Sequence, residues 1–150
     1  MKIAIASDHA AVDLKADLRE FMIELGHEVA DLGPETADRV DYPDYGYMLA
    51  EVVAEGTAEF GVALCGSGIG ISIAVNRNPG CRCALVSDPY SAALAREHND
   101  ANVIAMGARL TGPDMARACL MSFLDGKFAG GRHAGRVDKL SNPILKETAR

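Results

Sequence analysis

Short apolar runs alternate with longer amphipathic stretches along the whole chain, and few folds can accept that order. Residues 2–6, 28–31, 60–65, 82–86 and 103–106 read as strands, each closed by turn residues. Leu14, Leu18, Phe21, Met22 and Leu25 recur at helical spacing over 12–25, and Gly26 stops that helix. Helical spacing returns over 45–55, after the glycine run 66–70 to about Arg77, over 90–98 and over 112–123; the stretch 33–43, with its two prolines and several acids, reads as a loop. Strands joined through helices by connections this short run parallel with right-handed crossovers. The predicted fold is α/β: a three-layer αβα sandwich, Rossmann-like and doubly wound, around a five-stranded open parallel sheet. A chain of 150 residues suits one domain, since at that size roughly 68–70% of the unfolded surface is buried without disulfides or metals. Its last part, about 126–150, is a glycine-rich basic tail to Arg136 and then a helix predicted from Val137 towards the end.

Charge narrows the partners. A formal net charge of -6 disfavours a broad nucleic-acid footprint, which needs clustered cations. The local exception is Lys127, Arg132, His133, Arg136 and Lys139, which form either a solvated tail or a pocket for a small anion. No apolar stretch is long enough to cross a bilayer and no charged leader precedes the first strand, so a cytoplasmic protein is expected. Cys65, Cys81, Cys83 and Cys119 lie inside apolar runs, which argues against a disulfide framework. Cys81 and Cys83 lack a second Cys/His pair to complete a zinc set, so they and Cys119 read as small buried hydrophobes. No two histidines stand at the spacing of helical metal ligands, and no metal or other cofactor is expected.

In open parallel sheets ligands sit at the carboxyl ends of strands. Those ends carry Asp8 and His9 after the first strand, Cys65 to Gly70 after the third, Asp88 after the fourth, and Gly107 with Arg109 after the fifth. Asp8 and Asp88 taken singly read equally well as helix caps. Gly66, Gly68 and Gly70 let the backbone turn tightly and aim successive N–H groups at a negative charge. Such a loop could hold a dinucleotide pyrophosphate, with Asp88 about twenty residues on as the ribose-binding acid. The spacing, however, is G-x-G-x-G rather than G-x-G-x-x-G, and no substrate domain has room to follow. A cysteine at the strand end, facing the loop amides, is where a thiolate is stabilised, and a thiolate beside N–H donors is a base beside an oxyanion hole. Cys65 thereby distinguishes an enzyme from a nucleotide-binding module, which has no use for the thiol. His98, at a helix end, reads by itself as a complement to the helix dipole.

The runs Ser7-Asp8-His9, Asp41-Tyr42-Pro43, Cys65-Gly66-Ser67-Gly68-Ile69-Gly70, Ser87-Asp88-Pro89-Tyr90-Ser91, His98-Asn99-Asp100-Ala101-Asn102 and Gly130-Gly131-Arg132-His133, with Arg136 beyond, resemble the ribose-5-phosphate isomerase B and galactose-6-phosphate isomerase family. The likeness covers nearly the whole chain in order. It implies a metal-free aldose–ketose isomerase of a phosphorylated sugar, D-ribose 5-phosphate first and a tetrose or hexose phosphate second. By the resemblance Cys65 is the base of a cis-enediolate mechanism. The amides of Gly66, Ser67, Gly68, Ile69 and Gly70, with the Ser67 hydroxyl, hold the oxyanion, and His98 opens the sugar ring. Asp8, His9 and Asn99 line the site, and Arg109, Arg132 and Arg136 bind substrate or its phosphate. Members often carry threonine at Ser67, which keeps the hydroxyl. A homodimer or homotetramer with active sites shared between subunits is likewise implied.

Overall fold

The computed structural model describes residues 1–144. Five strands, β1 (Lys2–Ser7), β2 (Glu28–Asp31), β3 (Phe60–Cys65), β4 (Cys83–Leu85) and β5 (Val103–Gly107), form one sheet in the order β2-β1-β3-β5-β4. Every pairing is parallel. Among the described residues the helices are α1 (Val12–Glu24), α2 (Tyr42–Ala54), α3 (Ile69–Val75), α4 (Pro89–Asn99), α5 (Pro113–Asp125) and α6 (Ala134–Ser141), with 3-10 turns at His9–Ala11 and Gly131–His133. None is long and apolar enough to cross a membrane.

Strand alternation sorts the core into two layers. Ile3, Ile5, Val62, Leu64, Ile104 and Met106 face α1, α4 and α5, where they meet Leu18, Ala92, Leu120 and Phe123. The intervening Ala4, Ala6, Ala63 and Ala105 face α2 and α3, against Leu49, Val53, Ile71 and Val75. Small strand residues on that side let the two helices lie close to the sheet. Cys65 continues the Ala63 row, so its thiol points towards α3.

The three-layer α/β architecture matches the pattern of the sequence, and β2 and β3 have the expected bounds. Other ends shift. α2 begins at Tyr42 rather than Tyr45, because Pro43 falls in the first turn, where a missing N–H costs no intrahelical bond. β4 is shorter than the predicted 82–86; it is an edge strand with β5 as its one partner. Gly70 lies inside α3, and α6 starts at Ala134 rather than Val137. The predicted continuation of that last helix beyond residue 144 lies outside the described residues.

Candidate active site

The order in which strands are added to the sheet reverses between β1 and β3, and the carboxyl ends of these parallel neighbours open a crevice. Asp8 leaves β1 there, its N–H donating to the Leu64 carbonyl at 3.1 Å. Its carboxylate accepts from the Ala10 N–H at 2.9 Å, so Asp8 does cap the following turn. It also lines a cavity of about 290 Å³ with Tyr42, Cys65, Gly66, Ser67, Gly70, Arg109 and Leu110.

The loop after β3 folds back on its own thiol. The Gly68 N–H donates to Cys65 Sγ at 3.1 Å, and the Ile69 N–H donates to Ser67 Oγ at 3.2 Å. Gly68 has φ 76°, a left-handed conformation that glycine adopts without strain. Its neighbours serve as spaces. A Cβ on Gly66 would meet the Arg109 guanidinium at 3.0 Å, and one on Gly70 would meet the Tyr42 ring at 2.5 Å. Arg109 and Tyr42 therefore lie against bare backbone on either side of the cysteine turn. The loop is tied to β5 by the Ala108 N–H on the Cys65 carbonyl at 2.9 Å and the Arg109 N–H on the Gly66 carbonyl at 3.0 Å. Chemically this is a thiol with an N–H donor at its sulfur, a hydroxyl, a carboxylate and a guanidinium around a space of sugar size.

His9 serves the loop preceding Tyr42: its Nδ1 lies 3.1 Å from the Val40 carbonyl and 3.2 Å from the Val40 N. Asp88 caps α4, accepting from the Ser91 N–H at 2.8 Å and the Ser91 hydroxyl at 2.7 Å. Those bonds hold its carboxyl below the usual carboxylate range, the hydroxyl contributing most. Asp88 thus fills the helix-cap role, and its oxygens are engaged where a ribose-binding acid would need them free.

The remaining predicted site residues gather elsewhere. α4 runs from the carboxyl edge of the sheet back to the amino edge, where Asp100 ends it at φ 45° and Asn102 receives the Gly61 N–H at 2.9 Å. His98 and Asn99 close this helix, so they stand at the edge opposite Cys65. The Ala129 N–H donates to the Glu97 carbonyl at 3.0 Å and brings the basic tail to the same place. There His133 stacks on His98, with ring centroids 4.3 Å apart and planes 12° from parallel. Arg132 and Arg136 are exposed beside them. Asn99 borders a second cavity, of about 460 Å³, with Arg82, Cys83 and Leu140. One chain therefore holds the predicted site residues in two separate groups: Asp8, Cys65 to Gly70 and Arg109 at one edge, and His98, Asn99, Arg132 and Arg136 at the other.

Tyr42, given no role by the sequence, borders the first group, and His133, which the sequence offers only as a member of the basic tail, packs on the second. The signal for Tyr42 is its place directly before a proline in a helix's first turn; for His133 it is the pair of glycines that turns the chain back over α4. Among the described residues no group of three His, Cys, Asp or Glu side chains is gathered as a metal site would require. Cys81 and Cys119 are buried, and Cys83 is partly buried against the same core cluster as Cys81.

A family model described as Ribose/Galactose Isomerase matches residues 3–140. The ribose-5-phosphate isomerase B of Escherichia coli is 41% identical over 140 residues, covering 93% of this chain and 94% of that protein. The D-erythrulose-4-phosphate isomerase of Pectobacterium atrosepticum is 40% identical over 141 residues, covering 93% of each. Among solved structures, that of Clostridium thermocellum ribose-5-phosphate isomerase B superposes with a TM-score of 0.93 at 45% identity, over 94% of this chain and 95% of that one.

Proposed function

The chain belongs to the ribose/galactose isomerase family and is a sugar-phosphate isomerase; from that premise we propose that it interconverts D-ribose 5-phosphate and D-ribulose 5-phosphate, with Cys65 as the base. The observation that carries this reading is the Gly68 N–H on Cys65 Sγ at 3.1 Å, in the lining of a cavity bordered also by Ser67 and Arg109. The thiolate removes the proton from C2 of the open aldose. Electrons move from C2–H through C1–C2 to the carbonyl oxygen, giving a cis-enediolate; the C2 hydroxyl proton passes to the C1 oxygen, and the thiol, whose proton exchanges with solvent, protonates C1 as the C2 oxygen becomes the carbonyl. The loop amides and the Ser67 hydroxyl stabilise the oxyanion that develops on the way. Arg109 orients the sugar, and Arg132 and Arg136 take the phosphate, for which paired guanidinium donors are suited.

His98 gives a proton to the ring oxygen of the furanose and takes one from the anomeric hydroxyl, opening the ring before isomerisation. Since the two half-sites of one chain lie at opposite sheet edges, the working unit is a homodimer or a tetramer of such dimers, in which the Cys65 edge of one copy faces the His98 edge of another.

Likeness to a D-erythrulose-4-phosphate isomerase favours a second reading, the same chemistry on a four-carbon substrate. A panel of four-, five- and six-carbon sugar phosphates, with solvent deuterium entering at the carbon next to the carbonyl, separates the two. Ribose 5-phosphate is expected to give the highest kcat/KM. A higher value for erythrulose 4-phosphate would overturn the five-carbon assignment, and no exchange with any member would overturn the cysteine-base mechanism.

A further inference from the structure

His133 has no part in the proposed proton transfers, yet its contact with His98 is built by several elements. The tail is pinned to α4 through the Ala129 N–H and the Glu97 carbonyl. Gly130 and Gly131, at φ 62° and 55°, then turn the chain so that His133 returns over the helix end, with its N–H on the Gly130 carbonyl at 3.0 Å. His133 is buried, whereas the His98 side chain is 35% exposed and remains open to a ligand. Two imidazolium rings stacked this closely repel, so charge on one ring opposes charge on the other.

The charged and titratable groups facing His133 are Glu97 and His98 from α4 and Arg132 and Arg136 from its own turn and α6. Burial, then the cationic neighbours His98, Arg132 and Arg136, hold His133 below the usual histidine range, against the pull of Glu97. Glu97 Oε1 also lies 3.9 Å from His98 Nε2. His133 therefore sits between one carboxylate that favours a proton on it and two arginines that oppose it.

We propose that His133 is a positioning residue for His98, fixing its ring plane by stacking, and that an anion held by Arg132 and Arg136 decides whether the stacked pair carries a proton. A phosphate dianion there offsets both guanidinium charges, and the pair takes up a proton from solvent as substrate arrives. His98 then has a proton to give to the ring oxygen and recovers one from the anomeric hydroxyl, so the pair is unchanged after ring opening. The inference rests on the ring-opening role and the arginine clamp proposed above.

The test uses the full-length protein with inorganic phosphate as the probe. Titration of the His133 ring by nitrogen-15 NMR is compared with and without saturating phosphate, and phosphate binding is followed independently by phosphorus-31 line width. Phosphate is expected to raise the His133 midpoint by about one pH unit, roughly a tenfold gain in proton affinity. Arg132→Ala with Arg136→Ala should abolish that rise. His133→Asn should lower kcat on cyclic ribose 5-phosphate about tenfold and displace its pH profile; His133→Phe, which stacks but does not titrate, should regain part of kcat without restoring the profile. Phosphate that binds without moving the midpoint overturns this inference and leaves the clamp standing, whereas phosphate that does not bind overturns both. An unaltered kcat and pH profile in His133→Asn would refute the positioning role.

Discussion

Gly107 and Ser67 are in backbone contact: a Cβ at position 107 would lie 2.5 Å from the carbonyl carbon and oxygen of Ser67. The end of β5 is thus the floor on which the cysteine loop rests. The obstructing atoms are main chain, so no side-chain rotation can relieve the clash. Gly107→Ala should move the loop away from Cys65, destabilise the fold by about 1–3 kcal/mol and lower kcat by roughly tenfold to a hundredfold. Denaturant unfolding and steady-state kinetics check both; a variant with wild-type kcat would show that the loop does not depend on this support.

The four thiols should separate chemically. Burial pushes the Cys81 thiol up to about 11 and raises Cys119, and it raises Cys83 furthest, with Cys81 adding to it. These three are held protonated at neutral pH, while Cys65 lines an open cavity with an amide at its sulfur. Iodoacetamide at pH 8 is expected to label one thiol rapidly, and Cys65→Ala should lose that phase together with about 10²–10⁴-fold in activity. A fast phase that persists in Cys65→Ala would refute the assignment.

Lys15 is 3% exposed and places its ammonium 2.5 Å from Asp31, which also accepts the Gly33 N–H at 2.9 Å. The Gly33 carbonyl in turn receives the Ser7 N–H at 3.0 Å, one residue before Asp8. Lys15→Met leaves the carboxylate only the more distant Arg19, whose Nε lies 3.9 Å away, and should cost about 1–3 kcal/mol, measured by urea unfolding. A cost below about 1 kcal/mol would mean that the ion pair contributes little to holding this end of β2.

Much of this was legible because local chemistry and tertiary context agreed. The strand at Phe60–Cys65 is a continuous apolar run that ends in glycines, so both its burial and the place of its last thiol against the glycine loop follow from composition and order. The start of α2 was less legible, since Pro43 reads as a breaker unless its place in the first turn is known. β4 was trimmed by its position at the sheet edge, which residue types do not report. The stacking of His98 on His133 depends on a glycine turn bringing together residues from two elements, and no periodicity records it. The separation of the two groups of predicted site residues likewise follows from the direction of α4 in the folded chain, a property of topology rather than of any motif.

Acid should weaken the tie between α1 and α5. Arg117 donates to both Asp17 carboxylate oxygens, and that bonding holds the carboxyl below its ordinary value of 3.8. A carboxyl depressed in the folded state contributes stability above its ordinary value, and the contribution fades as pH falls through the folded one. Asp17→Asn should accordingly be less stable than the parent at pH 7, with the gap narrowing below about pH 4. Chemical denaturation at pH 7 and pH 3 measures it; a gap of the same size at both would exclude the carboxylate as its source.

Subunit exchange tests whether the two half-sites meet across copies of the chain. Cys65→Ala damages the edge at the end of β3, and His98→Asn damages the edge at the end of α4. Each parent is expected to be nearly inactive on cyclic ribose 5-phosphate, because every site in it lacks either the base or the ring-opening group. In a mixed two-fold dimer, one composite site pairs both defects and the other pairs both native residues. With random exchange about half of the dimers are mixed and half of their sites are whole, so about one quarter of wild-type activity should return. A site completed within one chain could gain nothing from mixing, since each chain would keep its own defect. Activity no higher than the parents, with exchange verified by mass spectrometry of tagged subunits, would therefore rule out a site shared between copies and leave the basic tail serving its own subunit.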